Sequence, residues 1–179
     1  IHLPKNNIDI FNLYKQDKNS SYIARGLGRS YGDSSLGQNI ISLKNYDKHI
    51  NFDKKLGILE CSTNYSLNEI IKLITKEDWF FNVTPGSKFV TIGGAIASDV
   101  HGKNHHLDGS FCDYVLSLQV ITAEGILYDC NKEKNSSLFH ATCGGMGLTG
   151  TIVSVKFKLL QIKSNFINTQ IIKTKSLKD

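Results

Sequence analysis

The sequence predicts a fold of short strands and short helices arranged in two parts, and three observations support this. Helix-like and strand-like segments alternate along the 179-residue chain, which is long enough for one domain or two small lobes. Ten of the fifteen glycines fall between Gly86 and Gly150, so the two halves differ in kind. The turn Val83–Gly86 marks the change from one half to the other.

The first half is predicted to contain two helices with strands between them. A first helix is predicted over residues 9–15. The second begins at Ser66, because Glu69 three residues later completes a capping-box signature. Its buried face consists of apolar residues at helical spacing: Leu67, Ile70, Ile71 and Ile74. The predicted strands cover residues 21–24, 40–43 and 57–61.

The second half is predicted to start with a helix of small residues over 92–99, with Thr91 as its N-cap. A second helix is predicted over 136–141. Apolar residues alternate with polar ones over 153–159, which predicts a half-buried strand. The other predicted strands cover residues 114–122 and 126–130, joined as a hairpin, and residues 166–175.

Composition excludes several classes of protein. The net charge of +5 comes from dispersed lysines, so we expect no nucleic-acid partner. No apolar run approaches the ~18 residues of a membrane helix, and residues 1–10 are too polar for a signal peptide. We therefore expect a cytoplasmic chain, with membrane association left open. The widely spaced cysteines are expected to be free core residues: Cys61, Cys112, Cys130 and Cys143.

The loop Arg25–Gly32, with sequence RGLGRSYG, has glycine at three of its eight positions and follows a predicted strand. Such loops expose backbone N–H groups that can close around phosphate oxygens, and Arg25 and Arg29 add positive charge. The alternative is a tight turn with no ligand, and this segment alone does not separate the two.

The segment over residues 84–99 combines a turn with the start of the small-residue helix. Helix starts carry unpaired N–H groups that favour anions, and Gly93, Gly94 and Ala97 would let a ligand approach the backbone. Small residues also suit a helix packed closely on a neighbour, so that alternative stays open.

Three histidines, His101, His105 and His106, suggest a metal site at first sight. Asp99 and Asp108 could complete a ligand set, but Gly102 interrupts any helix and Lys103 places a cation inside the cluster. We therefore expect no metal here.

The stretch Cys143–Gly150, CGGMGLTG, matches G-x-G-x-x-G letter for letter at Gly145, Gly147 and Gly150. A Rossmann site needs a strand before this motif and a helix after it, whereas here the predicted order is reversed. We therefore reject a Rossmann site and interpret the glycines as a close backbone approach to a ligand. A long, flat, phosphate-bearing ligand would account for all three glycine-rich segments.

The ordered motifs RGLGRSYGD, TPGSKFVTIGGAIASDVHGKNHH, GSF and GGMGLTG resemble the FAD-binding (PCMH-type) domain of the vanillyl-alcohol oxidase/p-cresol methylhydroxylase superfamily. HGKNHH followed by GSF is most similar to the decaprenylphosphoryl-ribose oxidases within it. The resemblance covers about residues 22–160. It implies two α+β lobes, over residues 1–84 and 85–162, with FAD between them, and it predicts residues 163–179 as the start of a substrate domain.

The resemblance also implies which residues contact FAD. The pyrophosphate loop would consist of Arg25, Gly26, Leu27, Gly28, Arg29, Ser30, Tyr31 and Gly32. The diphosphate, ribityl chain or flavin would contact Pro85, Gly86, Ser87, Thr91, Gly93, Gly94 and Ala97. The flavin ring would lie near Ser98, His101 and Gly102. The adenine side would be lined by Gly147, Gly150, Thr151 and Ile152.

The resemblance implies oxidation of a sugar hydroxyl by hydride transfer to flavin N5, in cell-wall polysaccharide synthesis. Lys103 and His101 are the catalytic candidates, and the substrate would be a sugar or a polyprenyl-phosphoryl sugar. Arg29 stands where some relatives attach FAD covalently through histidine, so FAD is expected to be non-covalent. An NAD(P)H-dependent reductase is a candidate partner. The alternatives are an aldonolactone oxidase and a non-catalytic flavin-binding module.

Overall fold

The computed structural model describes residues 1–16, 19–174 and 176. Helices and strands alternate through this part of the chain, which confirms the α+β class. The helices are α1 (Asn7–Gln16), α2 (Leu67–Ile74), α3 (Ile92–Ala97), α4 (His105–Asp108) and α5 (Ser136–Thr142). The strands are β1 (Tyr22–Arg25), β2 (Asn39–Ser42), β3 (Ile50–Asp53), β4 (Ile58–Ser62), β5 (Trp79–Phe80), β6 (Val115–Ile121), β7 (Leu127–Cys130), β8 (Thr151–Lys158) and β9 (Leu160–Gln161).

A five-stranded antiparallel sheet in the order β3-β4-β8-β6-β7 forms the centre of the fold. Strands β3 and β4 come from before residue 84 and pair in this sheet with strands from after it. The division into lobes at residue 84 remains a prediction. The central sheet contains strands from both sides of that residue. Two smaller pairs complete the topology: β1 with β2 in parallel, and β5 with β9 antiparallel.

Two apolar cores lie against the large sheet. The larger combines β4, β6 and β8 with buried residues of α2, α3 and α5, among them Ile70, Ile96 and Phe139. The smaller packs Ile10 and Tyr14 of α1 and Ile41 of β2 against Ile121 and Val153 of the sheet. Strand β8 contributes residues to both cores, so its first half is buried on both faces.

Local capping signals account for two helix starts. The Ser66 hydroxyl accepts a hydrogen bond from the Glu69 N–H (3.2 Å), and the Glu69 carboxylate accepts one from the Ser66 N–H (2.8 Å). This confirms the predicted capping box of α2, whose inner face buries Leu67, Ile70 and Ile74, with Ile71 half-buried. Thr91 caps α3 as predicted, through a 3.1 Å hydrogen bond from the Gly94 N–H to its hydroxyl.

Two expectations for strands need correction, and strands β3, β5 and β9 were not predicted. Strand β3 was not predicted, because it is a short edge strand whose residues are mostly exposed. The predicted half-buried pattern over residues 153–159 is wrong at Ser154, which is 4% exposed because the first half of β8 lies between the two apolar cores. The predicted strand over 166–175 is also wrong for 166–174, which are exposed and irregular, and Lys175 lies outside the described residues. A strand needs a neighbour for its backbone groups, and this segment pairs with none of the described strands.

The four cysteines are free, as expected, with Cys61, Cys112 and Cys130 buried and Cys143 half-buried. None of the helices in the described part of the chain has the length and apolar composition that a bilayer crossing requires. Of the predicted substrate-domain segment, residues 163–174 and 176 are described and are exposed.

Candidate functional site

The short helix α3 is the element on which the glycine-rich segments converge. Gly26 of the first loop packs directly on Thr91, so that a Cβ on Gly26 would overlap the Thr91 hydroxyl. At the other end of α3, the Met146 N–H donates to the Ala97 carbonyl (2.8 Å) and the Gly144 N–H to the Ile96 carbonyl (3.0 Å). Loops that are distant in the sequence therefore meet around one helix.

The start of α3 has no unpaired N–H groups at its first three positions. The Ile92 N–H donates to the Tyr65 carbonyl (2.8 Å), and the Gly93 N–H donates to the Thr63 carbonyl (2.9 Å). The Gly94 N–H is held by the Thr91 hydroxyl. These three donors are therefore not available to an anion, because the protein itself uses them. What α3 offers a ligand is surface: Gly94 is exposed, and Gly93, Ala97 and Ser98 are half-buried.

The first loop does supply unpaired donors. Within the described structure, the N–H groups of residues 26–32 donate to no protein acceptor. Gly28 (φ 64°) and Gly32 (φ 61°) adopt the left-handed conformation that glycine tolerates, a conformation typical of loops whose backbone N–H groups bind anions. Leu27 and Tyr31 are exposed. This is the donor chemistry that a phosphate group requires.

The two arginines of the first loop have different environments. Arg25 is half-buried; its guanidinium lies against Gly28 and donates to the Ser35 hydroxyl (3.1 Å). Arg25 therefore links Gly28 to Ser35 and stabilises the shape of the loop. Arg29 is exposed, as is Ser30, whose hydroxyl donates to the same Ser35 hydroxyl (3.2 Å). Of the two guanidinium groups, that of Arg29 is the more accessible to a ligand.

The turn over residues 84–87 precedes helix α3 in the sequence. Pro85 is half-buried, Gly86 and Ser87 are exposed, and a Cβ on Gly86 would meet no atom within 4 Å. The Ser87 hydroxyl accepts a hydrogen bond from the Phe89 N–H (3.2 Å), which shapes the turn. This part of the predicted site is therefore open surface.

The G-x-G-x-x-G stretch follows helix α5 and precedes strand β8, so the rejection of a Rossmann site is confirmed. Two of its glycines approach the protein's own backbone rather than a ligand, which corrects the interpretation given above. A Cβ on Gly145 would overlap the Ala141 carbonyl, and one on Gly150 would overlap the Ile121 carbonyl. Gly147 (φ 80°) differs from these two. A Cβ at this position would lie 3.5 Å from the Ile23 side chain and would meet no backbone atom.

A cavity of about 290 Å³ opens between this third loop and the first helix. Its lining includes Gly147 and Gly150, together with Tyr14 and Tyr22, whose rings meet edge to face at 5.4 Å. Neither tyrosine was predicted as a site residue, and only the aromatic character of the two side chains could have indicated them. Thr151 is fully buried, and its hydroxyl oxygen is hydrogen-bonded to the Tyr14 hydroxyl oxygen at 3.0 Å. Burial keeps the Thr151 side chain from lining the cavity, and the Ile152 side chain, 5% exposed, likewise points into the core.

The histidine turn follows α3 directly. Asp99 has φ 39°, and its carboxylate accepts a hydrogen bond from the Cys112 N–H (2.9 Å), which fixes the change of direction after the helix. His101 then pairs with Ser110 in an isolated antiparallel bridge. The result is that His101 and Lys103 are exposed while Gly102 is buried against the Thr84 carbonyl.

The other polar groups of this turn hold its shape. Asn104 donates to the Asn82 carbonyl (2.9 Å) and to the Asp108 carboxylate (2.8 Å), and the His105 Nδ1 lies 3.0 Å from the Gly102 carbonyl oxygen. The His101 and His105 rings are 5.2 Å apart. Among the residues that the structure describes, no group of three or more potential ligands could hold a metal ion. A site without metal remains a prediction.

Comparison with known proteins identifies the family. The family model of the FAD binding domain matches residues 4–131. The chain belongs to the FAD-binding domain family. FAD is therefore the cofactor, and the family is one of FAD-linked oxidoreductases. The unpaired N–H groups of residues 26–32, the open turn at Gly86 and the neighbouring cavity fit a long ligand with a diphosphate at its centre.

Relatives of this FAD-binding domain differ in their named substrates. It is 38% identical over 140 residues to decaprenylphosphoryl-beta-D-ribose oxidase of Mycolicibacterium smegmatis, covering 76% of the chain and 30% of that protein. It is 27% identical over 143 residues to D-lactate dehydrogenase of Anaerostipes hadrus (76% and 30%) and 26% identical over 170 residues to cytokinin dehydrogenase 3 of Arabidopsis thaliana (88% and 32%). The chain thus spans about a third of the length of these relatives.

Proposed function

We propose that this domain carries non-covalent FAD in an oxidoreductase that oxidises a hydroxyl-bearing carbon of a sugar, in a polyprenyl-phosphoryl sugar or a related compound. The observation that carries the proposal is the convergence of three glycine-rich segments and the exposed histidine turn on α3. The 38% identity to a decaprenylphosphoryl-ribose oxidase supports the substrate class. When bound, FAD supplies a two-electron acceptor for the hydride of the hydroxyl-bearing carbon.

The chain's own residues bind and position the reactants in this proposal. The N–H groups of residues 26–32 donate to the diphosphate, and the exposed Arg29 guanidinium adds a positive charge beside it. Gly94, Ala97 and Ser98 form a flat surface with little side-chain bulk, on which an aromatic ring can lie. Tyr14 and Tyr22, at the cavity, suit a second planar group such as adenine.

Two exposed side chains of the turn after α3 are the catalytic candidates. The Lys103 ammonium would stabilise negative charge on the substrate oxygen as its proton leaves. The His101 imidazole would hold or pass on that proton, since its backbone is fixed by the bridge to Ser110 while its ring is exposed. An NAD(P)H-dependent reductase that acts on the resulting keto sugar is the proposed partner.

FAD titration of the purified chain tests the cofactor site. Quenching of flavin fluorescence that saturates at one FAD per chain is the expected result, and Arg29→Ala should weaken it about tenfold, as loss of one charged phosphate contact predicts. FAD should remain in the supernatant after acid precipitation; colour in the pellet would contradict non-covalent binding.

Substrate assays in the full-length protein test the reaction. Under anaerobic conditions, polyprenyl-phosphoryl ribose should bleach the flavin absorbance, whereas sugar lactones should not. Bleaching by lactones would favour an aldonolactone oxidase instead. Stable FAD binding with no bleaching by either class would indicate a non-catalytic flavin-binding module.

A further inference from the structure

Two thiols meet beside the C-terminal end of α3, outside the surface proposed for FAD. Cys112 lies in the one-turn segment Phe111–Tyr114 before β6, and Cys143 immediately follows α5. The Cys112 thiol and the N–H of Gly144, which follows Cys143, both donate to the Ile96 carbonyl, and each thiol shifts the pKa of the other, so the two side chains are neighbours. Sequence spacing gives no hint of this pair, because its members come from opposite sides of β6 and β7.

Contacts with Ile96 and Asp99 place the two cysteine-bearing segments side by side. The Ile96 carbonyl accepts a hydrogen bond from the Cys112 thiol (3.4 Å) and another from the N–H of Gly144, next to Cys143 (3.0 Å). The Asp99 carboxylate accepts a hydrogen bond from the Cys112 N–H (2.9 Å). A Cβ placed on Gly144 would lie 3.4 Å from the Asp99 Cβ, so Gly144 is also close to Asp99. Both segments are thus fastened to the same two residues at the end of α3.

The two thiols differ in exposure and in acidity. Cys143 is half-exposed, and the neighbouring Cys112, with a smaller contribution from Lys132, lowers the pKa of its thiol against the opposing effects of burial and Asp99. Cys112 is 7% exposed; the neighbouring Cys143 and its own burial raise the pKa of its thiol. Cys143 therefore has the character of an attacking thiolate and Cys112 that of a buried resolving thiol.

We infer that Cys112 and Cys143 form a reversible disulfide when the protein meets a peroxide, joining the turn before β6 to the loop after α5 across the end of α3. This inference does not depend on the proposed function. The bond would hold the loop that carries Gly147 against the helix end from which the histidine turn departs.

The chemistry balances with hydrogen peroxide as the oxidant. The Cys143 thiolate attacks one peroxide oxygen, the O–O bond breaks, and the released hydroxide takes up a proton to give water and a Cys143 sulfenic acid. The Cys112 sulfur then attacks the Cys143 sulfur, the S–O bond breaks, and the thiol proton leaves with hydroxide as a second water. Two thiols are oxidised and one peroxide is reduced.

The remaining cysteines serve as internal controls. Cys61 is fully buried, and burial followed by the nearby Glu60 charge raises the pKa of its thiol to about 12. Cys130 is also fully buried, and desolvation and Asp129 raise the pKa of its thiol. Neither should react with peroxide while the protein is folded.

The test is peroxide treatment of the full chain, followed by thiol counting after denaturation and by peptide mapping. The four free thiols should fall to two, one cross-linked peptide should join Cys112 to Cys143, and dithiothreitol should restore all four. Four thiols after treatment, a cross-link to Cys61 or Cys130, or terminal oxidation of Cys143 beside a free Cys112 would each overturn the inference.

Variants distinguish attacking from resolving roles. In Cys112→Ser, Cys143 should accumulate as a sulfenic acid that dimedone traps, whereas Cys130→Ala should form the disulfide as the unaltered chain does. Cys143→Ser, at the half-exposed position, should leave Cys112 unreactive and provides a test if Cys112→Ser fails to fold, as judged by circular dichroism. Sulfenic acid on Cys112 in that variant would contradict the assigned roles.

Discussion

Gly26 and Thr91 are in such close contact that any side chain on Gly26 would occupy the position of the Thr91 hydroxyl. That hydroxyl also caps α3 through the Gly94 N–H, so it cannot turn away without releasing the helix start. One contact therefore couples the phosphate loop to the helix under the proposed flavin surface.

Gly26→Ala should lower both stability and FAD affinity. The added methyl group displaces the Thr91 side chain, at a cost of about 1–3 kcal/mol. Urea unfolding and FAD titration should both show the loss. Gly86→Ala is the matched control, because its Cβ meets no protein atom. It should leave the unfolding midpoint unchanged, so any loss of FAD affinity in that variant would report contact with the cofactor itself.

Thr91→Ala should destabilise the protein by about 1 kcal/mol, because the Gly94 N–H loses its side-chain partner at the N-cap. Thr91→Ser retains a hydroxyl at the same position and should lie within a few tenths of a kcal/mol of the unaltered protein. Chemical denaturation of both variants measures the difference; equal losses for the two would show that the cap contributes nothing.

Gly150→Ala should be far more disruptive than Gly147→Ala, although both glycines belong to the same motif. A Cβ on Gly150 would overlap the Ile121 carbonyl at φ 141°, whereas one on Gly147 would meet only the Ile23 side chain at 3.5 Å. We expect insoluble or unfolded Gly150→Ala and a loss of about 1–2 kcal/mol for Gly147→Ala, from its positive φ. Thermal unfolding compares them, and similar midpoints would contradict the packing role of Gly150.

Glu69→Gln should reduce stability at neutral pH and flatten its pH dependence. Burial alone would raise the pKa of Glu69, but hydrogen bonds from Lys48 and Ser66 outweigh it and lower the pKa from 4.5 to about 2. The unfolded chain therefore binds this proton more readily, and the stabilisation is lost as pH falls from about 4.5 towards 2. Glutamine keeps the capping geometry without the charge. Urea unfolding across this range should show a smaller acid loss for the variant than for the unaltered protein.

The features that were predictable from the sequence are those in which the interacting residues are neighbours. Ser66 with Glu69, and Thr91 with Gly94, lie three residues apart, so the spacing alone predicts both helix starts. Strand β3 escaped prediction because an edge strand buries too little to show an apolar pattern. The burial of both faces of β8 depends on the two apolar cores, and no local pattern in residues 151–154 indicates that both faces are covered.

The candidate site shows the same limit. Its loops were predictable from glycine content, but the use of each glycine was not. Gly150 packs against the Ile121 carbonyl, whereas Gly147 lines the cavity. The motif G-x-G-x-x-G does not distinguish these two roles. Two N–H groups at the start of α3 donate to the carbonyls of Thr63 and Tyr65. These two residues lie far back in the sequence, before helix α2. Only the assembled fold reveals which donors are left for a cofactor.

The position of β8 has a consequence for synthesis on the ribosome. Strands β4 and β6 do not pair with each other in the sheet, because β8 lies between them, and β8 is synthesised after both. A nascent chain that has emerged only as far as α5 therefore has two separate hairpins, β3–β4 and β6–β7, with unpaired inner edges. Folding of the domain, and with it the assembly of the FAD surface, waits for residues 151–158 to leave the exit tunnel. Until then the inner edges of both hairpins stay unpaired.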